Sequence, residues 1–341
     1  MKTDIAAIIE EQKDPRPFSG VVMVRESGKI VFARGYGYAN RAEKIANRVD
    51  TRFGIASGSK VFTAVAILQL IEAGKLDADT RLKNCLDVEF PNVHPNVTVH
   101  QLLTHTSGMP DYFDETVMDD FAALWREYPP QTIEGPRDLL PLMQDGEMQF
   151  APGERFHYNN GGYIVLGLIT EQQTGMRFTD VIEERIFAPC GMTDSGYFRL
   201  DVLPPRTAHA YVDEENGGWH TNIYDIPVIG QPDGGAFVTA LDIAKFWDAL
   251  SNHHLLRAET VERMLTPHAV ANDEETWFYG YGVWMIKRDD GRLAYHVEGC
   301  DPGVAFMSQV NPERKIEITV LGNSDDMTWH VHWALQEALV I

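Results

Sequence analysis

Strand-like segments stand at both ends of the chain and helical periodicity fills its middle. No other feature restricts the fold as much. Near the start, Gly20-Val-Val-Met-Val-Arg-Glu reads as a strand, Ser27-Gly28-Lys29 as a turn, and Ile30-Val-Phe-Ala-Arg-Gly-Tyr-Gly-Tyr as the returning strand. A glycine in a short turn between two apolar runs is a hairpin signal. Four more strand-like runs come late, at 281–287, 291–297, 303–310 and 316–322, separated by turn residues. Between these ends the period changes. Val61, Ala64, Val65, Leu68 and Ile71 recur at three and four, which predicts an amphipathic helix that stops near Gly74. A second helix is expected over 237–250 with Thr239 as a cap, a short one over 3–13 and another over about 326–339. Such a chain can pair its terminal strands into one antiparallel sheet and pack helices against it, an α+β arrangement.

With 341 residues and no repeat or low-complexity linker, residues 1–341 are expected to form one domain. Residues of about 1–55 and 275–341 would make its α/β part and about 56–274 a mostly helical part. A hydrophobic content of 44% suffices for a large core. The net charge of −21 repels nucleic acid and anionic lipid, so neither is an expected partner. Cys85, Cys190 and Cys300 are far apart and form no C-x-x-C pair, which reads as reduced thiols. No metal is expected: His330 and His332 stand two apart, and His253 and His254 are adjacent, neither a zinc spacing. The N-terminal stretch lacks the apolar core of a signal peptide, and no apolar run approaches the roughly 18 residues that span a bilayer. A cytoplasmic protein acting on a small molecule, without a cofactor, is the expectation.

The strongest chemical signal is Ser57-Gly58-Ser59-Lys60. A serine hydroxyl is a weak nucleophile and needs a base beside it. A serine and a lysine three apart at the start of a helix share one face, so the amine can reach the hydroxyl. Backbone N–H groups at a helix start also favour negative charge that develops there. Alone, the tetrapeptide fits equally a serine that caps a helix beside a surface lysine. Two further segments bear on the choice: Leu102-Leu-Thr-His-Thr-Ser-Gly-Met-Pro-Asp-Tyr and Pro152-Gly-Glu-Arg-Phe-His-Tyr-Asn-Asn-Gly-Gly-Tyr.

This ordered set resembles the serine β-lactamase and penicillin-binding protein family, in the branch of class C β-lactamases, D-peptidases and related esterases. S-x-x-K is a signature of that family. The resemblance runs from about Gly20 to Asn323 and implies a β-lactamase/transpeptidase-like fold. It also implies that Ser57 is the acylated nucleophile, with Lys60 and Tyr158 as its base system. Asn160, from the Tyr-x-Asn motif, would hold Lys60 and the substrate. A phenol is a usable base only where a cation favours its anion, and Lys60 is placed to supply one. The resemblance gives His105 no catalytic role, and a structural histidine is expected.

The third motif of that family, Lys-Thr-Gly or His-x-Gly, is irregular here. The matching stretch is Tyr295-His296-Val297-Glu298-Gly299-Cys300-Asp301-Pro302-Gly303. Anchoring on Gly299 puts Val297 at the cation position; anchoring on His296 requires an extra residue. His296, Gly299 and Cys300 are the expected substrate-binding residues, with the Cys300 N–H as second oxyanion donor. A cation there would bind a substrate carboxylate, and valine cannot. The departure favours an ester or amide without an obligatory carboxylate, or one bearing an amine. An acyl-enzyme esterase or peptidase-like hydrolase is therefore the first expectation. A true β-lactamase or D,D-peptidase is the alternative, and a non-catalytic binding protein on the same fold a third reading. Tyr112, Phe113, Trp277, Tyr279 and Tyr281 would be either an apolar substrate wall or ordinary core.

Overall fold

The structure, a computed structural model, describes residues 4–13, 16–324 and 327–339. Eight strands form the main sheet: β1 (Gly20–Glu26), β2 (Lys29–Tyr36), β3 (Ala269–Val270), β4 (Trp277–Tyr279), β5 (Trp284–Lys287), β6 (Leu293–Asp301), β7 (Val304–Asn311) and β8 (Ile316–Gly322). Their spatial order is β2-β1-β8-β7-β6-β5-β4-β3, with every neighbour antiparallel. Pairing of β1 with β8, from Gly20 opposite Gly322 to Glu26 opposite Ile316, joins the two ends of the chain. The α+β arrangement with a sheet built from both termini is thus as the terminal strands predict.

Five helices frame this sheet: α1 (Ile5–Glu11), α2 (Lys60–Glu72), α3 (Asn160–Thr174), α4 (Ala240–Ser251) and α5 (Met327–Leu339). Strand alternation sorts the apolar residues between the two faces. Val22, Val24, Ile318 and Val320 pack with Ile9 of α1 and Met327, Val331 and Leu335 of α5. Val21, Met23, Val297, Phe306 and Leu321 join the larger core that holds α2, α3 and α4. Each fully buried aliphatic or aromatic side chain contributes about 1.5–3 kcal/mol of transfer free energy.

The structure departs from the periodicity in instructive places. The stripe on α2 predicts one buried face, yet Phe62, Ala66, Ile67 and Leu70 are buried as well. The sequence of α2 is apolar nearly all round, which suits a helix enclosed on every side. The helix expected from Phe237 starts three residues later, at Ala240. Phe237 and Val238 instead pair as a short strand with Phe53 and Gly54. Thr239 is the cap, accepting the Asp242 N–H at 3.1 Å. The strand expected from Tyr281 begins at Trp284, because Gly280 to Val283 make a turn closed by a 2.9 Å bond from the Gly280 N–H to the Val283 carbonyl. Thr3 and Asp326, included in the expected terminal helices, lie outside the described residues. Among the described residues no helix is long and apolar enough to cross a membrane.

Candidate active site

Ser57 lies in a 3-10 turn, Ala56–Ser59, that runs directly into α2 at Lys60. Its N–H is at the start of that turn, where no helical carbonyl precedes it. The turn is under strain: Ala56 adopts φ of 45°, a left-handed conformation that L residues with a side chain avoid at a cost of about 1–2 kcal/mol. A loop far along the chain holds it there. The Gly235 N–H donates to the Ala56 carbonyl at 3.1 Å, and the Ile55 N–H to the Ala236 carbonyl at 3.0 Å. The Ala236 N–H donates to Ser59 Oγ at 2.9 Å, and Thr63 Oγ donates to the Pro232 carbonyl at 2.5 Å.

Lys60 is 2% exposed, and its Nζ meets three oxygens: Ser57 Oγ at 3.0 Å, Asn160 Oδ1 at 2.7 Å and the Asp233 carbonyl at 2.7 Å. The last two can only accept, so they occupy two N–H bonds. The third position faces a hydroxyl, which can give or receive. A neutral amine with its lone pair toward Ser57 therefore satisfies every partner, and so does the ammonium formed when it takes the serine proton. Burial pushes the Lys60 amine below its ordinary value, opposed by the charges of Asp233, Glu115, Asp111 and Asp301.

Tyr158 differs from the expectation that Lys60 would favour its anion. Lys60 Nζ sits over the face of the Tyr158 ring, 4.9 Å from its centre. Burial and then the Glu115 and Tyr279 neighbours push the phenol well above its usual range, with a hydrogen bond to Ser57 pulling the other way. The phenol is held neutral. The ring lies between His105, at 4.4 Å, and Trp284, stacked at 5.9 Å.

Asn160 opens α3, and its backbone is fixed by Asp111, whose carboxylate accepts the Asn160 N–H at 2.7 Å and the Gly161 N–H at 2.8 Å. Burial pushes Asp111 up to about 7. The Tyr112 hydroxyl donates to Asp233 Oδ2 at 2.5 Å. Sequence reasoning gave Asp111, Glu115 and Asp233 no role. The Pro232-Asp-Gly-Gly run was the available signal for the turn that carries Asp233.

The irregular third motif takes the register anchored on Gly299. β5 pairs with β6 only as far as Trp284 opposite His296, so beyond His296 that edge of β6 has no strand neighbour. There Gly299 abuts the Ser57 turn. A Cβ on Gly299 would stand 2.3 Å from the Ile55 carbonyl oxygen and 2.6 Å from the N atoms of Ser57 and Gly58. Val297 enters the core. His296 does not line the cleft, contrary to its expected role. It is fully buried behind it, edge-on to Trp277 at 5.4 Å and parallel to Trp284 at 6.3 Å. Alternation puts Glu298 two residues on, and it reaches the cleft wall beside Gly299, Cys300 and Asp301. Gly299→Ala is expected to displace the turn, whose backbone cannot move aside. A shift of about 1 Å would cost about 100-fold in kcat/KM for p-nitrophenyl acetate. Activity within about threefold of wild type would refute this packing.

The cleft has a volume of about 880 Å³, and Ser57, Tyr158 and Asn160 line it together. Its apolar wall includes Phe113, Phe121, Phe198, Leu200 and Ile226. Of the five aromatics weighed from sequence, Tyr112 and Phe113 face the cleft; Tyr279 and Tyr281 are core, and Trp277 packs on His296. Six acids line it (Glu115, Asp119, Asp120, Asp233, Glu298 and Asp301) and, among the described residues, no lysine or arginine. Burial, then the Asp233 charge, pushes Asp301 up to about 8.

A family model described as Beta-lactamase matches residues 5–340. Penicillin-binding protein 4* of Bacillus subtilis (strain 168) is 29% identical, over 98% of this chain and 74% of that protein. The crystal structure of a penicillin binding protein from Bacillus halodurans superposes with a TM-score of 0.92 at 48% identity, covering 98% of this chain and 99% of that one. A D-stereospecific amidohydrolase from Streptomyces sp. shares the fold with a TM-score of 0.81 at 24% identity, over 97% of this chain and 98% of that one.

Proposed function

The chain belongs to the beta-lactamase family, and we propose that within it Ser57, Lys60 and Tyr158 carry out acyl-enzyme hydrolysis of an amide or ester whose acyl part is apolar and bears a cationic amine. The observation that carries the catalytic half is the set of three contacts made by Lys60. Two obligate acceptors aim the remaining position of Nζ at Ser57 Oγ, 3.0 Å away. Neutral Lys60 takes the Ser57 proton while Oγ bonds to the substrate carbonyl carbon. The N–H groups of Ser57 and Cys300 receive the oxyanion. As the tetrahedral species collapses, the neutral Tyr158 phenol gives its proton to the departing nitrogen or oxygen and is restored by the proton held on Lys60. A water then attacks the acyl-enzyme, losing a proton to the same pair, and the acid leaves as Ser57 recovers its proton. Lys60 is thus the base and Tyr158 the acid of acylation, with Asn160 holding Lys60.

The substrate half rests on charge. Six acidic residues line the cleft, against one histidine, His209, and, among the described residues, no lysine or arginine. The Asp233 charge raises buried Asp301, an effect that a bound cation would relieve. A β-lactam or peptide terminus would bring a carboxylate instead, toward Glu298 and without a lysine at Val297. The amine-bearing substrate is therefore preferred over a D,D-peptidase or β-lactamase role. None of the three cysteines forms a disulfide, which supports a reducing, cytoplasmic setting.

Two measurements test these halves. A fluorophosphonate should add one phosphonyl group, located on Ser57 by tandem mass spectrometry, and an activated ester should give a burst of product. Turnover without a Ser57 adduct would sink the nucleophile assignment. For the substrate, kcat/KM of an aromatic aminoacyl p-nitroanilide should exceed that of its N-succinyl analogue by at least about tenfold at low salt, with the gap narrowing as salt is added. Equal rates would remove the cationic subsite.

A further inference from the structure

We propose that His105 is the positioning residue for Tyr158, acting through its Nδ1 as a fixed acceptor for the Asn159 N–H. The proposal rests on the catalytic reading above, in which the Tyr158 hydroxyl must meet Ser57.

Tyr158 is carried on an extended stretch ahead of α3. That stretch is fastened to the segment from His105 to Asp111 by a run of bonds. The His157 N–H donates to the His105 carbonyl at 2.9 Å. The Asn159 N–H donates to His105 Nδ1 at 3.0 Å, and Asn159 Nδ2 to the Met109 carbonyl at 2.9 Å. The Asn160 and Gly161 N–H groups both donate to Asp111. His105 therefore grips the chain on both sides of Tyr158, by its carbonyl and by its ring. The same ring packs at 4.4 Å against the Tyr158 ring, at 4.6 Å against Tyr279 and at 5.0 Å against Tyr163.

The tautomer follows. Nδ1 accepts a backbone N–H, so the proton is on Nε2. Nε2 is buried without a hydrogen-bond partner among the described residues. Burial holds the ring neutral, keeping the acceptor lone pair available. The backbone at His105 has φ of 57°, a left-handed conformation that a side chain makes costly and that sets the ring's direction. A histidine that only filled space would need neither this backbone nor an acceptor on one nitrogen.

Asparagine and glutamine separate these roles. Asparagine Oδ1 mimics Nδ1 and tolerates the left-handed backbone; the glutamine oxygen mimics Nε2 and leaves the Asn159 N–H buried without an acceptor. The readout is the rate of fluorophosphonate labelling of Ser57, with folding followed by thermal melting. His105→Gln is expected to label about 100-fold slower than wild type and His105→Asn within about tenfold. In a Tyr158→Phe background, His105→Gln should add less than about threefold, because no hydroxyl remains to misplace. Equal rates for Asn and Gln, or the full loss persisting without the Tyr158 hydroxyl, would overturn the proposal. Should His105→Gln melt below the assay temperature, His105→Asn decides alone: labelling about 100-fold slow in a folded protein would overturn it, and labelling within about tenfold would uphold it. Absence of any Ser57 adduct in the wild type would instead refute the nucleophile reading on which the proposal rests.

Discussion

Ser57→Ala is expected to lower turnover of an activated ester by about 10⁴-fold or more and to abolish both the burst and the fluorophosphonate adduct. The loss is large because the covalent route needs this oxygen. Ser59, the other hydroxyl of the turn, is fully buried and donates to the Ala56 carbonyl at 2.9 Å, so it cannot substitute. The fold should be untouched. The turn is held by the backbone at Ile55, Ala56, Gly235 and Ala236, and Lys60 keeps its bonds to Asn160 and Asp233. Thermal melting of the variant should therefore match wild type. An adduct at another residue, with turnover retained, would overturn the assignment.

Lys60→Met should cost about 10³-fold in acylation rate, since methionine fills the space and offers no base. The pH dependence makes the argument sharper. With Lys60 as the proposed base, only the neutral amine accepts the Ser57 proton, so wild-type kcat/KM should rise as pH rises through the Lys60 pKa. Burial lowers that pKa and the Asp233 charge raises it. Asp233→Asn removes the charge while leaving the backbone carbonyl that accepts from Nζ and an amide oxygen for the Tyr112 hydroxyl. Its sign is fixed: with less negative charge nearby, the ammonium is less stable, the pKa falls, and the acid limb moves to lower pH. In Lys60→Met the limb should disappear. A limb that stays in place in both variants would transfer the base role elsewhere.

How much of this was readable beforehand depends on the kind of information. β8, Ile316–Gly322, has the bounds that its alternation predicts, because one strand between two others buries both faces in regular order. Ser57, Lys60, Tyr158 and Asn160 were legible because each belongs to a short ordered motif, and the fold brings all four together. The register around Gly299 was not legible. Either anchoring satisfies strand alternation, and only the backbone of residues 55–58 pressing on Gly299 decides it. Asp111, Asp233 and Glu115 were hidden for a different reason. In a chain with 50 acidic residues, an aspartate buried against a lysine looks like any other on the page. His296 misled because a histidine two residues from the cleft edge is chemically suggestive, while Trp277 and Trp284 give it an aromatic pocket of its own.

The strained turn at Ala56 has a consequence for biosynthesis. The long-range hydrogen bonds described above for this turn come from residues 232–236, and the strand that presses on it, β6, ends at Asp301. A nascent polypeptide that has emerged only through α3 already carries Ser57, Lys60, Tyr158 and Asn160, yet nothing fixes the serine in its reactive geometry. Reactivity should switch on late in translation, once β6 has left the ribosome and docked. Labelling of stalled chains of increasing length by a fluorophosphonate would time that moment, and an adduct on chains ending before residue 232 would contradict it. On the proposed mechanism the hydrolase would be its own quality check: a molecule that has not finished folding would have no poised nucleophile to misuse.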